Sequence, residues 1–501
     1  MRSPIEFEKD HTYDRCRDSI DSDFSSSDHS DERLDGPVGQ DDTVPLTPPP
    51  PPYSAFSLNR RRFILGVVTA AGFFGPLTGA IYLPSLVLFQ QIFNVSATAI
   101  NATVSIYMVV FAVAPLFGAV ASDVGGRKLV YMFGLGSFLV ANIMLAALPA
   151  HIALLFILRI FQAFGSCIVF SVGAGTVADI TEPANRASAL AWFLMGPQLG
   201  PVFGPLVGGA FANVSRWRWV FGFLALLCLP VYCAILFCMP ETLRSLVGNG
   251  AAVAHQPWFS IPKLRTKPST DIKGPKIPRP SFRKFLQLLK YPPHLIVSFN
   301  GAFQFAGLYG MYISFPTVLK KTYNWSTAEV SYAYLAPGIA MFFASIVVGR
   351  GSDWLRKRAI AKSPDGKVAP ERRIAYQIIG FSIAAAGKFM YGWFCQARVT
   401  PAAGLIGAAL SSVGTSIVFV TSTSFQTECD PAQTASLVAL GGLLRNIAAA
   451  LAAVVMDGLL KKAGVGWTFT IFGVMDILCI PGILLIIFKG AEMRAALKAQ
   501  G

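Results

Sequence analysis

Twelve blocks of apolar residues, each about 20 positions long, leave this chain few ways to fold. They lie near residues 63–84, 101–122, 129–149, 152–178, 187–212, 218–239, 294–318, 329–349, 374–394, 402–424, 435–456 and 467–488. The third is weakly separated from its neighbours, so the count is twelve or eleven. A block of that length spans the hydrocarbon core of a bilayer only as a helix, because backbone N–H and C=O groups find no water there. Charged residues make up 14% of the 501 positions, against roughly 25% in a soluble domain. The prediction is an all-α polytopic membrane protein with twelve transmembrane helices.

Polar stretches divide the blocks. Residues 1–59 hold 13 acidic and 5 basic residues, with many serines and few apolar groups, and read as a disordered tail. No apolar signal-peptide core opens the chain, so the first span is expected to direct insertion. Residues 244–293 form a second polar segment, leaving six spans in 60–243 and six in 294–489, with 490–501 as a short tail. Inside the first tail, Pro50-Pro51-Pro52-Tyr53 is a PPxY element. Preformed polyproline II followed by tyrosine suits the aromatic groove of a WW domain, of the sort found in ubiquitin ligases that retrieve transporters; the alternative is a stiff linker with no partner.

Basic residues set the orientation. Arg60, Arg61, Arg62, Arg127, Lys128 and Arg186 flank one side of the membrane, together with ten bases in the linker and eight between spans eight and nine. By the positive-inside rule that side, with both termini, is cytoplasmic. The charge is read as topology signal and headgroup contact, without nucleic acid. The N-x-S/T sequons at Asn94, Asn213 and Asn324 fall in loops of the other side and are candidate glycosylation sites, while Asn101 lies too close to the membrane. Eight dispersed cysteines, most inside spans, and five scattered histidines offer neither a disulfide framework nor a metal site. No nucleophilic triad, Walker sequence or dinucleotide fingerprint occurs, so no enzyme and no cofactor is expected.

In the fifth span the chain reads GPQLGPVFGPLVGG. Gly196, Gly200, Gly204 and Gly208 stack on one helix face, and Pro197, Pro201 and Pro205 form a row beside them. The glycines admit a neighbouring backbone, and each proline removes a helical hydrogen bond at a fixed height. Such a helix is expected to act as a pivot at Gly200, Pro201, Gly204, Pro205, Gly208 and Gly209. A second pattern repeats between halves. Asp123 is followed by Gly126, Arg127 and Lys128 after span two, and Asp353 by Arg356 and Arg358 after span eight. An acid at a helix end with bases after a short turn makes a charge relay suited to gating one face of the membrane.

With these motifs in view the chain resembles the major facilitator superfamily, specifically its twelve-span drug:proton antiporter branch. Asp123-Val-Gly-Gly126-Arg127-Lys128 is similar to the superfamily's loop signature, Arg159-Ile-Phe-Gln162-Ala-Phe-Gly165 to its span-four RxxqGxg, and Gly200 through Gly209 to the antiporter motif gxxxGPxxGG. Asp179 through Arg186 and Pro240-Glu241-Thr242-Leu243-Arg244 resemble stretches of fungal members, with the wording nearest to multidrug and organic-acid exporters, the citrate type included. Ala119 and Val124 depart from the loop signature, and Gly441-Gly442 stands where those exporters carry two asparagines. The resemblance implies two pseudo-symmetric six-helix bundles around a central cavity and a monomeric transporter working by alternating access.

Charges inside the spans supply the candidate binding residues, since a buried charge in lipid is costly enough to imply a use. Arg159 and Arg445 lie on helices the resemblance places at the cavity, and two guanidinium forks suit a carboxylate. Gln162, Gln198, Asn300, Gln304, Tyr309 and Asn446 are the candidate hydrogen-bonding partners, with Tyr312 beside them. Asp123, Gly126, Arg127, Lys128, Asp179, Arg186, Asp353 and Arg356 form the candidate cytoplasmic gate. Lys388 is expected to snorkel outward from a peripheral helix, and Asp476 to serve a structural partner. No acid occupies the first two spans, which favours anionic or neutral solutes over cations. The expected function is export of a small organic solute, an organic acid or secondary metabolite, with proton coupling. A broad multidrug antiporter is the alternative and a non-transporting sensor a further one. The plasma membrane is the expected location.

Overall fold

The computed structural model describes residues 53–182, 186–254, 257–259, 292–362, 371–429 and 434–499. All lie within one compact body, Pro52–Gly501. The acidic tail with Pro50–Pro52 and the linker from residue 260 to 291 fall outside the described residues.

Helices account for the membrane body, with no strand among the described residues. In chain order they are α1 (Leu58–Ile81), α2 (Ala97–Gly125), α3 (Arg127–Ala147), α4 (Ile152–Ile180), α5 (Arg186–Ala210), α6 (Arg218–Cys233), α7 (Pro292–Tyr323), α8 (Leu335–Lys362), α9 (Tyr376–Gln396) and α10 (Pro401–Cys429). The last run, Thr434–Ala499, breaks at Gly464, whose φ of 74° no helix contains, giving α11 (434–463) and α12 (465–499). The long helices among the described residues therefore number twelve, with a few short ones between them. The third span is separate: Gly126, at φ 103°, turns the chain sharply between α2 and α3. Serine caps start several helices. Ser96 Oγ accepts from Ala99 N at 3.2 Å, and Ser326 with Glu329 forms a reciprocal capping box before the short helix leading into α8.

Ten described stretches are long and apolar enough to cross a membrane, Leu440–Gly490 among them with two crossings, while α7 is long enough but more polar. That polarity reflects its place: Asn300, Gln304 and Ser314 of α7 are all buried against other helices. Conversely, Leu226, Val347 and Leu478 are 66%, 68% and 68% exposed, an apolar surface that only lipid would cover at this extent. This is a multi-pass membrane protein.

Small residues set the closest helix pairs. In the first half Gly134 of α3 faces Gly165 of α4; in the second, Gly387 of α9 faces Gly407 of α10. The same device joins the third and fourth helices of each half, as a repeated unit would. The halves meet through α2 and α11, where Ser105 Oγ donates to Ala450 O at 2.7 Å and Thr98 Oγ1 to Asp457 Oδ2 at 3.4 Å. They also meet where Gly209 of α5 lies on Ser331 and Val202 on Gly338 of α8. Thr98, Gly209, Ser331 and Asp457 all sit near the joints α1/α2, α5/α6, α7/α8 and α11/α12, the end that carries the sequons. There Asn94, Asn213 and Asn324 are exposed, whereas Asn101 is buried in α2.

Candidate functional site

Four polar assemblies lie within this body. In the first half Arg159 of α4 is fully buried, its guanidinium carbon 4.3 Å from the ring centre of Tyr82 and 4.4 Å from that of Tyr107. Two aromatic faces replace the counter-anion a buried cation normally needs. Arg159 Nη1 donates to Gln162 Oε1 at 2.9 Å, Gln162 Nε2 to Asn142 Oδ1 at 2.7 Å, and Asn142 Nδ2 to the Phe138 carbonyl at 2.8 Å. Tyr107 is fixed by donating to Gly75 O at 2.7 Å, and Tyr82 lies 2.9 Å from Thr103 Oγ1. Among the described residues no acceptor meets Arg159 Nε or Nη2. Buried guanidinium donors without partners cost free energy until an acceptor arrives.

The second assembly is a cleft between α7, α10 and α11. Its polar lining is Ser298, Gln304, Thr415, Ser422, Gln426 and Arg445, and among the described residues no carboxylate belongs to it. Arg445 Cζ stands 4.6 Å above the Phe419 ring, which orients the guanidinium by cation–π attraction. Gln426 Nε2 donates to Ser298 Oγ at 3.1 Å. A Cβ on Gly441 would meet Gln426 and Arg445 at only ordinary contact distance, 3.6 and 3.8 Å, so the glycine leaves the cleft open beside the arginine. Phe305 lines the same cleft, and its ring centre is 4.8 Å from that of Tyr309. Tyr309 in turn packs with Tyr107 and Ala163 of the first half. The pair Phe305–Tyr309 thus connects the cleft to the Arg159 box.

The candidate binding residues do not all converge. Gln304 and Arg445 share the cleft; Arg159 and Gln162 lie outside its lining and in the box. Asn300 is buried between helices, donating to Cys479 O at 3.2 Å. Asn446 Nδ2 bonds back to Gly442 O at 2.9 Å on its own helix. Gln198 is exposed on α5, one turn from Val202 and hence on the side that meets α8.

The third assembly corrects an expectation. Lys388 of α9 does not snorkel outward. It is fully buried, and its Nζ is 2.6 Å from Asp476 Oδ2 of α12, also fully buried. Gln304 and Thr415 adjoin this pair. A peripheral lysine and a peripheral aspartate read one at a time give no sign of facing each other; two opposite charges in separate spans were the available signal.

The fourth lies at the basic end. Arg127 Nη1 bonds Asp123 Oδ1 at 2.7 Å and Ser122 Oγ at 2.7 Å, while its Nε bonds Asp179 Oδ2 at 2.9 Å. One guanidinium thus ties α2, α3 and α4 together within one half. Gly126 supplies the left-handed turn that delivers Arg127 there. Asp353 and Arg186 have side chains outside the described residues, and Arg356 lies on α8 half-buried. Glu241, which the sequence reading assigned no role, is central. It is buried, and Oε1 accepts from the N–H groups of Arg127, Thr242 and Leu243, each at 2.9 Å, while Oε2 accepts from Lys128 N at 3.2 Å. A lone acid in the stretch from 183 to 270, three residues before Arg244, was its sequence signal. Beside it, Arg244 stacks on Tyr53 at 3.8 Å and donates to the Tyr53 carbonyl at 3.1 Å, and Tyr53 Oη donates to Ala178 O at 3.3 Å.

In the fifth helix the glycine row meets α1 of the same half. A Cβ on Gly200 would lie 2.6 Å from Leu77 N and one on Gly204 2.7 Å from Ala80 Cβ; Gly196 and Gly208 press on Thr69 and Ile81. The helix runs unbroken through Pro197, Pro201 and Pro205.

Comparison with known proteins sets these features in a lineage. Residues 68–453 match the Major Facilitator Superfamily. Dityrosine transporter 1 of Saccharomyces cerevisiae is 36% identical over 465 residues, covering 87% of this chain and 81% of that protein. A multidrug transporter of Candida glabrata is 34% identical over 463 residues, covering 87% and 85%. A crystal structure of a D-xylose–proton symporter superposes with a TM-score of 0.63 at 15% identity, over 85% of this chain and 97% of that one.

Proposed function

The chain belongs to the major facilitator superfamily, and from that premise we propose that it exports a small aromatic organic acid or a related secondary metabolite from a fungal cell. Its action as a secondary transporter for small organic solutes follows from its relatives; the solute class is read from the cleft. The observation that carries this reading is Arg445, held over Phe419 in a cleft whose described polar lining is amide and hydroxyl groups. A guanidinium beside aromatic faces takes a carboxylate through forked hydrogen bonds and a ring by stacking. The unpartnered Arg159 Nε and Nη2, behind Tyr309, offer a second acceptor site. One relative is named for dityrosine, a solute with two phenol rings and two carboxylates, which such a pair of sites would suit.

Moving one unit charge across the membrane is worth about 2.3 kcal/mol per 100 mV, so an inside-negative cell drives an anion outward. Both termini and the Arg127 lattice face the cytoplasm in this reading, with the sequon end outside at the plasma membrane, and Asn94, Asn213 and Asn324 open to glycosylation. A WW-domain ubiquitin ligase that reads Pro50–Tyr53 would have to draw Tyr53 from beneath Arg244. The second reading, a broad multidrug antiporter, draws on the Candida glabrata relative.

The test is uptake into everted vesicles under an imposed pH gradient. Dityrosine, citrate and a lipophilic cation are compared in the native protein and in Arg445→Ala. Saturable uptake of the aromatic acid, reduced at least tenfold by Arg445→Ala, supports the proposal. Proton release evoked by the cation alone, with Arg445→Ala unaffected, would assign the protein to the multidrug reading.

A further inference from the structure

The Lys388–Asp476 pair is more than an interhelical tie. Two charges removed from water rarely stabilise a fold better than apolar side chains of the same size. Their retention inside a membrane bundle asks for a use. What adjoins them supplies one. The end of the Gln304 side chain faces Asp476 Oδ1 at 2.6 Å on one side and Thr415 Oγ1 at 2.8 Å on the other. Thr415 Oγ1 also lies 2.8 Å from the Ser411 carbonyl.

This geometry closes in two ways, and they differ by one proton. With Asp476 ionised, the Gln304 amide nitrogen donates to Asp476 Oδ1 and its oxygen accepts from Thr415. With Asp476 protonated, its hydroxyl donates to the Gln304 oxygen, the Gln304 nitrogen donates to Thr415 Oγ1, and Thr415 donates to Ser411 O. In that second state Lys388 Nζ keeps a contact with Gln304 Oε1 at 3.4 Å. From Asp476 through Gln304 to Thr415 each arrangement sets a donor against an acceptor at both contacts, so a half-turn of the amide accompanies gain or loss of the proton.

Resting on the transporter reading, we propose that Asp476 is a proton-binding site of the second half, coupled to the solute cleft through Gln304. Gln304 belongs both to this cluster and to the lining of the Arg445 cleft, so a proton entering by way of the cleft is one side chain from Asp476. The groups facing the carboxylate are Lys388 from α9, Gln304 from α7 and Cys479 from α12 itself, with Thr415 of α10 and Arg445 of α11 across Gln304. Lys388 is the only fixed charge in contact with it among the described residues. Protonation of Asp476 leaves the ammonium unneutralised and raises the positive potential on the cleft. Binding of the proton therefore opposes a cation in the cleft and assists an anion.

The experiment is an infrared pH titration of the purified full-length protein in lipid nanodiscs, which needs no solute. Expected is a protonated-carboxyl C=O band that grows on acidification, is absent in Asp476→Asn, and titrates about one pH unit or more higher in Gln304→Leu, because the charge-assisted bond lost by the ionised form is stronger than the neutral bond lost by the protonated one. If Asp476→Asn does not fold, Lys388→Met/Asp476→Leu removes both charges and serves in its place. An unchanged band in these variants overturns the proposal. A second arm reconstitutes the double variant with the solute found in vesicles: pH-gradient-driven uptake is lost while downhill exchange persists. Unaltered pH coupling there overturns the coupling role. A titrating Asp476 in a protein that moves no solute would instead refute the transport reading and leave the proton site standing.

Discussion

At Glu241 one carboxylate receives four backbone N–H groups at the joint where α2 turns into α3 and the chain leaves α6. Two of those donors, on Arg127 and Lys128, open α3, where the helix dipole favours a negative charge. Charge-assisted bonds of this sort are each worth about 1.5–3 kcal/mol, and losing the acceptor strands the buried donors as well. Glu241→Ala is therefore expected to destabilise the protein by about 3 kcal/mol or more, and Glu241→Gln by less because it keeps one oxygen. Thermal unfolding of the purified variants in detergent checks the order; equal midpoints for Ala and native would remove the carboxylate from its role. Arg127 was legible in the sequence because acid, glycine and base stand together there. Glu241 was not, since the chain meets it 114 residues later.

On α5 the period of four in the glycines told which face would be smooth, but a period names no neighbour. The structure supplies it: α1, whose backbone at Leu77 and Ala80–Ile81 would meet any added Cβ at Gly200 or Gly204. Gly204→Leu must separate two helices of the same half, so surface level and thermal stability should fall together with transport. Gly209 differs, because its neighbour is Ser331 of the other half. Gly209→Val leaves the α1–α5 seam intact and is expected to keep near-native expression while slowing transport by hindering closure at the sequon end. Fluorescence-detected gel filtration beside vesicle uptake separates the two; equal loss of protein in both would show a single packing role for the row. The reading of α7 shows the complementary limit. Its polar residues were visible as candidates, yet the sequence could not divide Gln304, at the cleft, from Asn300, bonded to α12.

Taken as a whole, the body is joined at one end and lined by a cleft toward the other. Every named contact between α2 and α11 or α5 and α8 falls in the portion nearer the sequons, from Ser105–Ala450 to Thr98–Asp457. The cleft runs instead along Ser298, Ser422 and Gln426, near the basic ends of α7 and α10. Twelve spans were legible because lipid imposes a length rule on every segment separately. Which end is closed was not, because it depends on contacts between residues some 350 positions apart, such as Ser105 and Ala450. An alternating-access cycle requires that these two regions exchange accessibility. On a cysteine-free background, Ser422→Cys should react with a membrane-impermeant thiol reagent applied to the basic face in everted vesicles, whereas Ser105→Cys should be protected from either side. Adding transported solute with a pH gradient should slow labelling at 422 and expose 105 to reagent on the sequon face. Reactivity at 105 from the basic face would place the seal at the wrong end. Rates at both positions that never respond to solute would mean that the halves do not rock, and that the glycine-rich α5 serves packing alone.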